Sequence, residues 1–397
     1  MSRNRVIYQS EALFISKNIN STGAADHKQL KRVQSANYNF NIARQDVNQF
    51  GQLARVDALV LQSPTVALDF TYYPTDGFNE RALGFFVQTG NQPEANFASG
   101  QMGSSSGQNY FIVTTSEGVD LNTETNLAGK SVIGIGNGFL TNYSVDFGVG
   151  NLPTASVTIE GLNLNSAKYS GYKDGTGTGD IGSGVPVPTV NPTEGVQLAV
   201  TSGVYRIAKL PNPSQSTGTN EISALRPGDI VIDFGSFGTG SGAVPLSNIS
   251  GSSSAMGENG LHLQTASLSL PLSRTPIERL GSRFAFTRVV DFPIVATLNV
   301  SAVVNEIEAR NLADMLDDSA ERTVTIRIKN PKNTTQDALR YSLKGARLTS
   351  ESFKSSIGSN KTVDLVFETQ IGGPNDSEHG VYVSGCGSND GVSNWGY

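Results

Sequence analysis

The sequence predicts a mainly β protein: two copies of one β-barrel or β-sandwich unit, each with a short α-helix, plus a Gly/Ser-rich β-insert. Three observations carry this. Glycine is 43 of 397 residues and charged residues are 16%, against roughly 7% and 25% in ordinary soluble chains. Apolar and polar residues alternate at period two over long runs. Those runs recur in the same order at fixed offsets, which marks an internal repeat.

The first strands fall on Tyr38, Phe40 and Ile42, interleaved with Asn37, Asn39 and Asn41, and on Val66, Leu68, Phe70 and Tyr72, interleaved with Thr65, Ala67, Asp69 and Thr71. Such alternation gives a sheet with one buried and one polar face, and a one-residue slip would put the apolar set in water. The spacing then predicts a helix over 79–87. A low-complexity loop, 89–108, is an insertion in this copy. A second strand block runs from Leu140 to Glu160.

The same pattern returns at an offset of 230 residues (264 − 34): Leu268, Leu270 and Leu272 alternate with Ser267 and Ser269, and Ala296 to Ser301 matches Val66 to Thr71. Ile307, Leu312, Met315 and Leu316 approximate a helical stripe over 306–316. Leu348 to Glu368 matches Leu140 to Glu160 at an offset of 208 (348 − 140). These matches divide the chain into 1–164 (first unit, with an N-terminal arm and the 89–108 loop), 165–260 (an inserted β/loop region or arm) and 261–397 (second unit, with a flexible C-terminal tail holding Cys386). Within the insert, Val196–Val200, Val204–Ala208 and Asp229–Phe234 are strand-like.

Several functions are excluded. The net charge of −6 opposes binding through phosphate neutralisation. A single cysteine, Cys386, rules out a disulfide framework, and His27, His262 and His379 have no metal-ligand spacing. Gly103 to Gly107 fits GxSxG but lacks the strand before it and the helix after it. Gly177 to Gly182 fits GxGxxG, yet Val185-Pro186-Val187-Pro188 follows where a helix is required. Asp376 to His379 reads as a surface turn. No catalytic, cofactor or metal site is expected. No apolar run reaches the ~18 residues of a membrane span. Met1 to Val6 has no secretory apolar core, so synthesis in a cytoplasm is expected.

The run Gln34–Tyr38 through Arg44–Gly51 resembles the tail tube proteins of long-tailed bacteriophages, and Tyr341–Thr349 through Ile357–Asn360 is similar to the closing hairpin of that fold. The resemblance implies a structural virion protein without catalysis or cofactor. A duplicated chain is similar to the trimer-forming type, whose rings have pseudo-sixfold symmetry and stack into a tube. The implied partners are further copies of the chain, other tail proteins at the tube ends, and double-stranded DNA passing without being held. The polar strand face would line the lumen: Asn37, Asn39, Asn41, Asp69, Thr71, Asp146, Thr158 and Glu160 in the first copy; Ser267, Ser269, Asn299, Ser301, Asp364 and Glu368 in the second. Lys354 departs from this uncharged-to-acidic lining. The alternatives are another component of the tube fold (hub, distal tail or terminator) and a β-rich adhesin or decoration module. An exposed aromatic platform is not evident for the latter, since the one tryptophan is Trp395.

Overall fold

The computed structural model describes residues 11–387 apart from 62, 90–95, 103–106, 124–126, 170–183, 192–195, 198–199, 202–203, 214–221, 235–261, 283, 304–320 and 357–359. The chain is mainly β, as its alternation predicts. Its strands of four or more residues are β1 (Glu11–Ser16), β2 (Val33–Asn41), β3 (Arg44–Val47), β4 (Asp57–Val60), β5 (Thr65–Tyr72), β6 (Gln108–Thr114), β7 (Ser131–Gly148), β8 (Asn151–Gly161) and β9 (Asn163–Lys168). They continue with β10 (Ile230–Asp233), β11 (His262–Pro271), β12 (Arg274–Ile277), β13 (Thr287–Val290), β14 (Val295–Val303), β15 (Arg322–Asn330), β16 (Asn333–Lys354), β17 (Thr362–Gln370) and β18 (Gly380–Gly385). Ten of them, in the order β10-β15-β16-β17-β14-β11-β7-β8-β5-β2, form the spine of a 16-stranded sheet among the described residues.

Two stretches of this spine carry the same pairings. In β2-β5-β8-β7, Asn37 faces Asp69, Phe70 faces Val157 and Ser156 faces Ser144. In β11-β14-β17-β16, Ser267 faces Asn299, Val300 faces Leu365 and Asp364 faces Ser352. The ladder irregularities also correspond: Val33/Ser35 with Leu263/Thr265, and Thr158/Ile159 with the step at Leu348/Ser350. At the latter, Thr141 Oγ1 donates to the Thr158 carbonyl and Thr349 Oγ1 to that of Val366, both at 3.2 Å. The stretches meet through β7 and β11, in register from Thr265 opposite Gly148 to Pro271 opposite Asn142.

Each stretch also projects a hairpin, β3–β4 and β12–β13. Their turns bend at Gly51 (φ 83°) and Gly281 (φ 86°), a left-handed conformation that glycine adopts without a Cβ clash.

One apolar layer runs beneath both stretches. It joins Leu68, Phe70, Val157 and Ile159 to Leu298, Val300, Leu365 and Phe367, all at most 2% exposed. The helix α1 (Phe78–Ala82) packs wholly into this layer. It is shorter than the expected 79–87 because Gly84 takes a left-handed φ of 88° and stops it; Val87–Thr89 then pairs in parallel with β18. The expected 306–316 helix lies outside the described residues. The 89–108 loop carries a short helix, Ser99–Met102.

Of the strands expected between 165 and 260, Ile230–Asp233 forms, as β10 on β15. The others are two-residue ladders, such as Val185–Pro186 on Ile207–Ala208. Val185, Val187, Ala208 and Leu210 pack with Phe14, Phe111 and Val132 in a second apolar cluster. Cys386 is not part of a loose tail. It is half-buried at the end of β18, with its N–H on the Ala338 carbonyl at 3.0 Å.

Candidate functional site

The polar residues singled out from the sequence come together in cross-strand rows on one face of the sheet. Asn37, Asp69 and Thr158 are successive partners, as are Asp146, Ser267 and Asn299. Ser301 faces Asp364, and Glu368 faces Thr297, the neighbour of Ser269. Asn39 and Asn41 continue the face on β2, exposed, and Glu160 lies on β8 beside Ala67. Short hydrogen bonds tie the rows. Thr158 Oγ1 donates to Asp69 at 2.8 Å and Ser267 Oγ to Asp146, and the Ser35 and Thr71 hydroxyls are hydrogen-bonded to each other at 2.7 Å.

Lys354 shares this face but contacts Asp364 directly. Hydrogen bonds from Lys354 and Ser301 hold the Asp364 carboxyl below its ordinary range. The departure noted in the sequence is thus a neutralised pair. Arg288 is likewise bound to Glu160 at 2.9 Å, and Arg347 to Glu321 at 2.9 Å.

The apolar residues of β2 and β11 sit in different environments despite matched positions. Leu268, Leu270 and Leu272 are at most 1% exposed, because β7 covers their edge. Tyr38, Phe40 and Ile42 are 41%, 61% and 40% exposed. β2 ends the spine, with β5 on one side. The 352–354 stretch of β16 pairs with β17, and no described strand pairs along its other edge.

At the β7·β11 junction, Arg274 is buried against the first stretch. Its guanidinium donates to the Gln101 carbonyl at 3.0 Å, the Gln101 side chain at 3.2 Å and the Leu140 carbonyl at 3.4 Å. It also lies 5.1 Å from the Phe139 ring centroid. Burial pushes its pKa down to about 10. Arg44, at the matching position on β3, is exposed.

A buried polar cluster clamps the two stretches from below. Glu80 of α1 accepts from Tyr72 at 2.8 Å and from Tyr143 at 3.2 Å, and the Tyr143 hydroxyl lies 3.0 Å from that of Tyr341 on β16. Burial raises the Glu80 carboxyl above its usual range. Neither Arg274 nor Glu80 stands out in the sequence. The only trace is Ser273-Arg274 repeating Ala43-Arg44.

The GxSxG serines and the GxGxxG loop lie outside the described residues. Asp376–His379 forms a surface turn, with Asp376 Oδ1 accepting from the N–H groups of Glu378 (2.7 Å) and His379 (3.1 Å). Among the described residues no helix is long and apolar enough to cross a membrane.

No protein-family model matches the chain, and no curated protein matches it. Several solved structures are similar, two of which follow. One is from the PVC extracellular contractile injection system, sheath–tube complex in the extended state: 9% identity, 41% of this chain, 91% of that chain, TM-score 0.26. The other is the tube-terminating cap of the anti-feeding prophage: 9% identity, 43% of this chain, 99% of that chain, TM-score 0.25.

Proposed function

We propose that the chain is a non-enzymatic structural subunit that assembles with copies of itself into rings, and that the rings stack as a virion tail tube. One observation carries this reading. β2 and the residue just past it expose Tyr38, Phe40 and Ile42 at the end of the spine, while the matching Leu268, Leu270 and Leu272 are covered by β7 within the chain. An unpaired strand with an apolar flank is a template for another chain. The units 1–164 and 261–397 act as repeats, each offering a first strand to a last strand. Among the described residues that offer is taken once, and a neighbouring copy takes the other.

Each chain then contributes eight consecutive strands, β2 to β16 along the spine. Three chains closing head to tail would leave no edge in the barrel itself. A 24-strand barrel with ~4.8 Å strand spacing and ~40° tilt is about 50 Å across at the backbone. That exceeds the porin barrels that hold an aqueous channel. The polar face, from Asn37 to Glu368, would line this lumen with hydroxyls, amides and neutralised pairs rather than free cations. DNA would cross it without its phosphates being bound. Other tail proteins would close the tube ends.

Purified full-length chain should give rings of three chains, 126 kDa from a 42.0 kDa protomer, or long tubes in negative stain. A chain that stays monomeric at millimolar concentration would overturn the reading.

A further inference from the structure

We infer that the contact between copies reproduces the β7·β11 junction, with β2 of one copy on β16 of the next and Arg44 seated as Arg274 is within the chain. This rests on the self-assembly reading above and deepens it by fixing the partner surface.

β11 repeats β2 at an offset of 230 and β16 repeats β7 at 208, with the same partners and the same irregularities. The intrachain ladder joins Ser267 to Asp146, Leu268 to Val145 and Ser269 to Ser144. Moved by the two offsets, it joins Asn37 to Lys354, Tyr38 to Phe353 and Asn39 to Ser352. These three pairs are chemically coherent; the next, Leu270 with Tyr143, becomes Phe40 with Glu351. The Asn37 amide oxygen can accept from Lys354. Tyr38 meets Phe353, which is already packed against the core. Aromatic cross-strand pairs of this kind stabilise sheets.

The hairpin base follows the same rule. Within the chain, Arg274 reaches the Leu140 carbonyl and Arg288 binds Glu160. Across copies, Arg44 meets the Leu348 carbonyl. Position 58 is alanine where the second hairpin has Arg288, so Arg44 is the cation this hairpin base brings to Glu368. Arg347, which stands where Phe139 does, is held by Glu321 at 2.9 Å, and that carboxylate offsets its charge beside the incoming guanidinium.

The ladder also fixes where a cross-link is possible. Leu272 donates to the Thr141 carbonyl at 2.9 Å and Val149 to that of Gln264 at 3.0 Å. Ser269 and Ser144 therefore form a non-hydrogen-bonded pair, the closer kind, within reach of a disulfide. Asn39 and Ser352 inherit that geometry.

The test uses the full chain with Cys386→Ser. Asn39→Cys with Ser352→Cys should oxidise in assembled material to covalent ladders of two and three chains. Asn39→Cys with Ser356→Cys, out of register, should give at least tenfold less. Arg44→Glu should raise the half-assembly concentration at least tenfold, and adding Glu368→Arg should bring it back to within threefold. Rings that form without the in-register cross-link, or that tolerate Arg44→Glu unchanged, would overturn this inference and leave the ring reading standing. A chain that never assembles would remove both.

Discussion

Phe40 and Leu270 occupy matched positions, and truncating each should damage a different property. Phe40 is 61% exposed in the single chain and Leu270 1%. If a neighbouring copy covers Phe40 as β7 covers Leu270, assembly removes about 120 Å² of an aromatic surface of ~200 Å². At ~25 cal/mol per Å² that is roughly 3 kcal/mol per junction. Phe40→Ala should then weaken each junction by roughly 2–3 kcal/mol, about 30–150-fold in dissociation constant. Its effect on the folded monomer should stay within ~0.5 kcal/mol, as for other exposed positions. Leu270→Ala should instead cost about 2–5 kcal/mol of fold stability through the cavity it leaves. Sedimentation velocity over a concentration series reads the first effect, and urea unfolding followed by circular dichroism reads the second. The reasoning fails if Phe40→Ala assembles like the parent, or if it lowers the urea midpoint as far as Leu270→Ala does.

Further outcomes follow from the clamp and the hairpins. Burial raises the Glu80 carboxyl, so the folded chain holds its proton more tightly than the unfolded chain. That contribution is complete below the ordinary carboxylate value of ~4.3 and is lost as pH climbs through the raised folded value. Urea midpoints should fall with pH in that window, and Glu80→Gln, which keeps an acceptor for Tyr72 and Tyr143, should flatten the fall. Tyr341→Phe removes the hydroxyl that meets Tyr143 and should lower stability by about 0.5–1.5 kcal/mol in equilibrium unfolding. Phe50 and Leu280 are fully exposed at the two hairpin turns. If these tips join one ring to the next, Phe50→Ser with Leu280→Ser should leave single rings in negative stain while shortening the tubes.

Much of the sheet is legible in the sequence because a period of two reports which face is buried. Val66, Leu68, Phe70 and Tyr72 are all buried, with Asp69 exposed between them. The offsets of 230 and 208 also anticipate which residues pair at corresponding places. What alternation cannot report is the neighbour across the strand edge. Tyr38, Phe40 and Ile42 alternate as cleanly as Leu268, Leu270 and Leu272, yet only the leucines are covered within the chain. The buried Glu80 and Arg274 are invisible for a related reason. Each is satisfied by groups distant in sequence, Tyr143 and Gln101 among them, and no local pattern encodes such a partner.

The exposed edge itself distinguishes a strand awaiting a partner from a strand defended against one. Natural edges are blunted by lysine, by proline, by inward charges or by brevity. β2 spans nine residues and contains none of Lys, Arg, Pro, Asp or Glu. Its irregularity sits at Val33/Ser35, which leaves the run from Ser35 to Asn41 regular. The facing candidate, the end of β16, carries Glu351, half-buried in the row of Leu365, and Lys354, whose charge is bound to Asp364. The lysine side chain therefore lies along the polar face rather than guarding the edge. A protein that worked as a monomer would leave such a strand open to indiscriminate pairing. Here the apolar flank, the missing gatekeepers and the in-chain template at β7·β11 agree on a single occupant, a second copy of the same chain. Asn39→Lys with Asn41→Lys, both exposed on β2, would supply the missing gatekeepers. That pair should hold the chain monomeric with its urea midpoint unchanged. If the doubly substituted chain still forms rings in negative stain, β2 is not the edge through which copies join.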